Sequence, residues 1–254
     1  MDKLVVGNMK MNLLSPVERE RYLENFKKEL GTKKFGRTEL ILCPSYVHLE
    51  NFKKELGKKV NIGAQNMFWK KEGAFTGEIS PVMIKNLGCD YVIIGHSERR
   101  KYFCETDEEI NCKIIEALKI GLKPIVCVGE SSVEKDMNET LNVITRQLNE
   151  SLANIGRTKI ENITIVYEPV WAVGTDDIPT IHEIMEARLL IRKILVANFD
   201  KKYAQNVKIL YGGSVNSKTV KEVCIEPGMD GVLIGRESLI PYELIKIAQI
   251  INEG

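Results

Sequence analysis

Histidine and tryptophan are scarce in this chain: three imidazoles (His48, His96, His182) and two indoles occur in 254 residues. Histidines so widely spaced form no obvious metal cluster. Charge of one sign is lacking too, with 36 Lys and Arg against 35 Asp and Glu, a net +1. That removes any global pull toward nucleic acid or an anionic membrane surface and leaves only local patches. No apolar run approaches the ~18 residues of a membrane span. The opening MDKLVVGNMKMN has only a short apolar core and reads as a first strand, not a signal peptide. The six cysteines (43, 89, 104, 112, 127, 224) contain no C-x-x-C pair and no zinc-finger spacing. Cys43, Cys89 and Cys127 lie in or beside apolar runs, so they read as buried free thiols in a reducing cytoplasm. Two phosphate-binding signatures are also missing. The turn after the first strand is G-N-M-K-M-N, not G-x-G-x-x-G, and no P-loop occurs.

What is present is a repeating pattern. Hydrophobic residues make up 44% of the chain, enough for a large core. Eight short apolar runs rich in Val and Ile are predicted strands: 3–8, 39–43, 60–64, 90–95, 122–128, 163–168, 207–212 and 230–235. They are continuously apolar, as strands buried on both faces of a parallel sheet are. Helical patterns lie between them. Ser15-Pro16 opens one that runs to Leu30 and stops at Gly31. Thr106 and Glu109 form a capping box for another that reaches Gly121. The longest follows Pro179, and the last begins at Pro241. Strict alternation with no break in composition predicts one α/β domain over residues 1–254, a single-domain (β/α)8 barrel. The competing arrangement is an open doubly wound sheet, whose usual glycine fingerprint is missing.

On a parallel barrel the C-terminal strand ends converge on one face. Asn8 and Lys10 follow strand one, Gln65 and Asn66 strand three, and His96, Ser97 and Glu98 strand four. Glu168 ends strand six, Gly212-Gly213-Ser214 strand seven, and Gly235-Arg236 strand eight. The topology thus sets one lysine, one histidine, one glutamate and several glycines around one cavity. Ser97 can begin a helix behind His96, so the ring lies at the positive end of a helix dipole, which favours neutral imidazole. The alternative is a histidine that only caps a helix. Glu168, between Ile-Val-Tyr and Pro-Val-Trp, is expected to be desolvated, which raises its basicity for proton removal beside a carbonyl. The alternative is a strand-end carboxylate paired with a surface cation. Pro169–Thr175 combines Pro, Trp and Gly, as a hinged lid with an aromatic anchor does. Gly212-Gly213-Ser214 before a helix beginning near Val215 suits a phosphate cradle, although GGS alone is also an ordinary turn.

The segments GNMKMN (7–12), QNMFWKKEGAFTGE (65–78), IIGHSERR (93–100), PIVCVGE (124–130), YEPVWAVGT (167–175), YGGSVN (211–216) and DGVLIG (230–235) resemble those of the triosephosphate isomerase family, in order and spacing, over essentially the whole chain. The resemblance implies a TIM barrel in which Glu168 is the base and His96 polarises the carbonyl and shuttles a proton through an enediolate. It implies that Lys10 supplies positive charge, that Asn8 orients the carbonyl, and that Glu98 is a carboxylate near the lysine. Backbone N–H groups at Gly174, Ser214, Gly235 and Arg236 would hold the phosphate. The neutral histidine and the closing lid of this family are standard worked cases of enzyme electrostatics and gating. The resemblance implies no metal and no organic cofactor. It implies a cytoplasmic enzyme of glycolysis and gluconeogenesis that acts on a small phosphorylated sugar, with no nucleic-acid or membrane partner. It also implies a homodimer through the 65–78 loop, with Thr76 near its tip.

This sequence departs from the family pattern at several places. Met9 replaces a usual tryptophan, and Cys104 stands where glycine is common. Asp176-Asp177-Ile178-Pro179-Thr180 replaces a G-K-T-A-like hinge, and Arg236-Glu237 replaces Gly-Ala. These changes spare the proton-transfer residues and fall where substrate is enclosed. They leave open an isomerase for a four-carbon ketose phosphate of the erythrulose type. A non-catalytic phosphate-binding barrel is the other alternative.

Overall fold

The structure is a computed structural model that describes residues 2–174 and 177–254. Eight parallel strands close into a barrel in sequence order. They are β1 (Lys3–Asn8), β2 (Thr38–Cys43), β3 (Asn61–Ala64), β4 (Tyr91–Ile94), β5 (Lys123–Val128), β6 (Thr164–Tyr167), β7 (Lys208–Tyr211) and β8 (Gly231–Ile234). The ring closes where Leu4 of β1 lies opposite Gly231 of β8. Gly231 has φ +142°, and a Cβ there would stand 1.9 Å from the Leu4 carbonyl oxygen, so only glycine fits the seam. The closed ring decides between the barrel and the open sheet.

Helices cover the outside: α1 (Pro16–Leu30), α2 (Leu49–Leu56), α3 (Pro81–Asn86), α4 (Ser97–Phe103), α5 (Asp107–Lys119), α6 (Ser132–Asp136), α7 (Thr140–Ser151), α8 (Ile181–Phe199), α9 (Lys201–Ala204) and α10 (Pro241–Glu253). Their starts follow the sequence signals. The Ser15 hydroxyl accepts from the Glu18 N–H at 3.2 Å. Thr106 and Glu109 form the predicted capping box, and Thr180 with Glu183 forms another that opens α8 just after Pro179. Each cap contributes about 1 kcal/mol.

The continuous apolar strands serve two cores. Leu4, Val6, Ile41, Cys43, Tyr91, Ile93, Ile125, Cys127, Val166, Leu210 and Leu233 point inward and fill the barrel. Their neighbours, such as Val5, Leu42, Ile94, Ile165 and Val232, face outward and pack under the helices. Period-two alternation sends successive side chains to opposite faces, so a strand buried on both reads as apolar throughout. Cys43, Cys89, Cys127 and Cys224 are buried free thiols, while Cys104 and Cys112 are exposed. Cys104 takes a left-handed φ of +52° as the C-cap of α4, the conformation glycine would adopt there without strain.

One expected element is absent: no α-helix begins near Val215. Asn216 Oδ1 instead accepts from the Lys218 and Thr219 N–H groups, and Thr219 Oγ1 accepts from the Asn216 N–H. These local bonds compete with helical ones and hold the segment as a turn. A short π-helical stretch follows only at Lys221–Ile225.

Candidate active site

The inward face of the barrel predicts which residues meet at its mouth. Two residues beyond Val6 is Asn8, and two beyond Val166 is Glu168. The same step leads from Leu210 to Gly212 and from Leu233 to Gly235. The ladder bonds continue past the strand ends, with the Glu168 N–H donating to Val128 O at 2.8 Å and Gly212 N–H to Tyr167 O at 2.8 Å. These positions therefore keep the orientation of the strands beneath them. A cavity of about 390 Å³ opens there. Asn8, Lys10, His96, Glu168, Gly174, Ser214, Gly235 and Arg236 all contribute to its wall. Glu98 is the one predicted site residue not part of that lining.

Glu168 is buried at 2% exposure and both its oxygens are engaged. Oε1 lies 3.0 Å from His96 Nε2, and Oε2 accepts from the Ser97 N–H at 2.9 Å. Gly129 makes room for the chain here, since a Cβ on it would stand 1.9 Å from the Glu168 carbonyl oxygen. Burial pushes the Glu168 carboxyl up, but His96 and the Ser97 donors outweigh it and hold the group below the usual carboxylate range. The expectation of raised basicity is thus corrected: the carboxylate is desolvated but not unpaired.

His96 is the N-cap of α4, as its position before Ser97 predicted. Its Nδ1 accepts from the Glu98 N–H at 3.3 Å, which leaves the proton of a neutral ring on Nε2, facing Glu168. Burial pulls the imidazole down, yet Glu168 first and Glu98 second outweigh it, and the net direction is up. The helix end and the carboxylate therefore act on this ring in opposite senses. The helix end is fixed, whereas the effect of Glu168 lasts only while that side chain faces the ring.

Lys10 occupies a left-handed φ of +52°, uncommon for a side-chain-bearing residue. Side-chain bonds hold the turn. The Lys10 N–H donates to Asn8 Oδ1 at 3.1 Å, and Asn12 Nδ2 to Met9 O at 2.7 Å. Gln65 Nε2 donates to Lys10 O at 2.8 Å and to Cys43 O at 2.9 Å. The ammonium pairs with Glu98 Oε1 at 2.7 Å. Met9, in place of tryptophan, is fully packed into the outer core.

Sequence reasoning missed the supports of the segment after β6 that carries Trp171. Glu130, 1% exposed, accepts from Tyr167 Oη at 3.1 Å and from Trp171 Nε1 at 2.8 Å. Burial raises its pKa despite those donors. Lys135 Nζ stands 3.2 Å over the Trp171 ring and pairs with Glu183 at the start of α8. The Ser214 hydroxyl donates to Ala172 O at 3.0 Å. The signal for Glu130 was an acid directly after the apolar PIVCVG run. The hinge position Asp176 lies outside the described residues. Pro179 is buried, and Ile178 before it is non-helical. In the 65–78 loop, Phe68 packs on Trp69 and Phe75, with ring centroids 4.1 and 4.7 Å apart.

A (β/α)8 barrel whose strand ends bring a desolvated carboxylate, an imidazole and a lysine to one glycine-walled cavity is an acid–base barrel enzyme in form. The chain matches the family described as triosephosphate isomerase over residues 3–251. It is 44% identical over 248 residues to the triosephosphate isomerase of Dictyoglomus turgidum, covering 97% of this chain and 98% of that protein. It is 40% identical over 245 residues to that of Thermoanaerobacter pseudethanolicus, covering 96% and 97%. It is 35% identical over 247 residues to that of Natranaerobius thermophilus, covering 97% and 95%. The chain belongs to the triosephosphate isomerase family.

Proposed function

We propose that this chain interconverts dihydroxyacetone phosphate and D-glyceraldehyde 3-phosphate, with Glu168 and His96 moving the protons. The observation that carries the reading is the 3.0 Å approach of His96 Nε2 to Glu168 Oε1 at the wall of the same cavity as Lys10, Ser214 and Gly235. Glu168 takes the proton from the carbon beside the carbonyl. The freed C–H electron pair becomes the C=C bond of an enediolate, and the carbonyl oxygen takes the charge. His96 donates its Nε2 proton to that oxygen and recovers one from the neighbouring hydroxyl. Glu168 then returns its proton to the adjacent carbon. With substrate between the pair, Glu168 no longer faces the ring, and the fixed Glu98 N–H favours the neutral Nε2–H form. Lys10 and Asn8 stabilise the developing oxyanion in a site where such charges act strongly. Glu98 keeps the ammonium in place. Backbone N–H groups at Gly174, Ser214, Gly235 and Arg236 hold the phosphate, and lid closure keeps water from the enediolate.

We read residues 1–254 as one domain, acting as a homodimer in cytoplasmic glycolysis and gluconeogenesis. Exposed apolar side chains support the dimer: Met11 (87%), Leu14 (83%), Val47 (79%) and Phe103 (67%). They lie in the segments after β1, β2 and β4, on the side of the barrel that carries the 65–78 loop. A cluster of that kind marks a partner surface. The buried free thiols suit a reducing compartment. A steady-state panel of dihydroxyacetone phosphate and erythrulose phosphates tests the activity. Higher kcat/KM for a four-carbon substrate would replace the triose reading, and phosphate binding without turnover of either would leave a binding barrel.

A further inference from the structure

Arg236 brings a side-chain cation to the part of the cavity that Gly212, Gly213, Ser214 and Gly235 also line. Gly235 caps the 3-10 turn Arg236–Leu239, and a Cβ on Gly235 would stand 3.2 Å from Lys10 Cε. This end of the cavity therefore abuts the lysine. Arg236 shares that wall, and its Nη2 donates to the Gly174 carbonyl at 3.4 Å. Gly174 belongs to the lid, with φ +73°. The segments after β7 and β8 thus each grip the lid: Ser214 through a hydroxyl at Ala172, Arg236 through a guanidinium at Gly174. A bond of 3.4 Å at an exposed position is near the limit of a hydrogen bond and by itself holds the segment only weakly. A guanidinium offers five N–H donors in a planar fork, so one bond to Gly174 leaves the others for an anion. Bonds from such a group to phosphate are shorter and stronger than bonds to a neutral carbonyl.

We propose that the Arg236 side chain is a positioning group that joins lid capture to phosphate binding. It keeps one N–H on the Gly174 carbonyl and turns the rest onto the phosphate of the bound substrate. The identity of that anion rests on the isomerase reading above; the coupling itself does not. Glu237, next in the chain, contributes to the same cavity lining.

The experiment uses inorganic phosphate as the probe, with the unmodified chain, Arg236→Gln and Arg236→Lys. Competitive inhibition gives its affinity, and hydrogen exchange of peptides spanning Val170–Gly174 reports the lid. The unmodified chain should bind phosphate and gain lid protection on binding. Arg236→Gln should weaken phosphate binding about tenfold, the effect of losing one charged hydrogen bond, and abolish the phosphate-induced protection. Its loss should fall on KM rather than kcat. Arg236→Lys, which keeps charge but not the fork, should recover part of the affinity and not the protection. An Arg236→Gln variant with the parent's phosphate affinity and lid protection would overturn the proposal. If the unmodified chain binds phosphate through Arg236, read by calorimetry, yet turns over no triose phosphate, the proposal stands and the isomerase reading falls.

Discussion

The Glu168 carboxylate and the His96 imidazole stand 3.0 Å apart, each the nearest charged neighbour the other has at the barrel mouth. They satisfy each other, and the Ser97 N–H takes the second carboxylate oxygen. Substrate must therefore part a formed pair.

Shortening the base tests its placement. Glu168→Asp withdraws the carboxylate by one methylene, roughly 1 Å, and kcat should fall about a hundredfold with little change in KM. Steady-state kinetics measures both, and an unaltered kcat would take the base role from Glu168.

Removing the lysine tests the charge role. Lys10→Ala should lower kcat/KM by about 10²–10³, while circular dichroism and the thermal midpoint stay close to the parent. The Lys10–Glu98 pair is partly solvated, with side chains 29% and 42% exposed, so its contribution to stability is small. Full activity would contradict the assignment.

The pairing has a pH signature. Glu168 is held below its ordinary value of 4.5, so its contribution to stability is present above that pH and is lost as pH falls through the lower folded value. His96 is shifted above 6.5, so its contribution is present below that pH and disappears as pH rises through the folded value. The difference in Tm between the parent and Glu168→Gln should therefore shrink on both the acid and the alkaline side. His96→Asn leaves burial to act on Glu168 without its main opposing partner, and the acid limb of kcat/KM should move to higher pH. A limb that stays in place argues against the coupling.

Glu130 anchors Trp171 through its indole N–H. Glu130→Ala strands two donors, Tyr167 Oη and Trp171 Nε1. The expected loss is about 3 kcal/mol, roughly 6–12 °C in Tm for a chain of this size, with a fall in kcat. Glu130→Gln keeps an acceptor and should lose less. Calorimetry and steady-state rates on both variants separate the stability effect from the lid effect.

The proposed dimer is tested at the tip of the 65–78 loop. Thr76→Arg should shift sedimentation from the mass of two chains to that of one, and kcat should drop with it. A parent that sediments as a single active chain would remove the dimer.

The barrel and most of its site were legible in the sequence because each rests on local chemistry. Strands such as KLVVGN and GVLI declare themselves by being apolar on both faces. Asn8, Lys10, His96 and Glu168 follow strands whose ends must converge. The helix near Val215 failed because Asn216 and Thr219 have side chains that compete with the backbone for its bonds, and such competition is invisible to periodicity. The pKa of Glu168 went the other way because desolvation can be read from neighbours in sequence. The compensating bonds come from His96 and Ser97 at the start of α4, and Ser97 lies 71 residues away along the chain. Glu130 and Lys135 escaped for a related reason: their partner, Trp171, approaches only through the tertiary fold.

The two bonds from Gln65 have a consequence for how this face can change over time. One amide fastens the backbones that leave β1 and β2 to the one that leaves β3. It acts as a keystone, and an insertion in any of the three loops would tilt the ammonium at position 10. Divergence on this quarter of the rim must then be concerted.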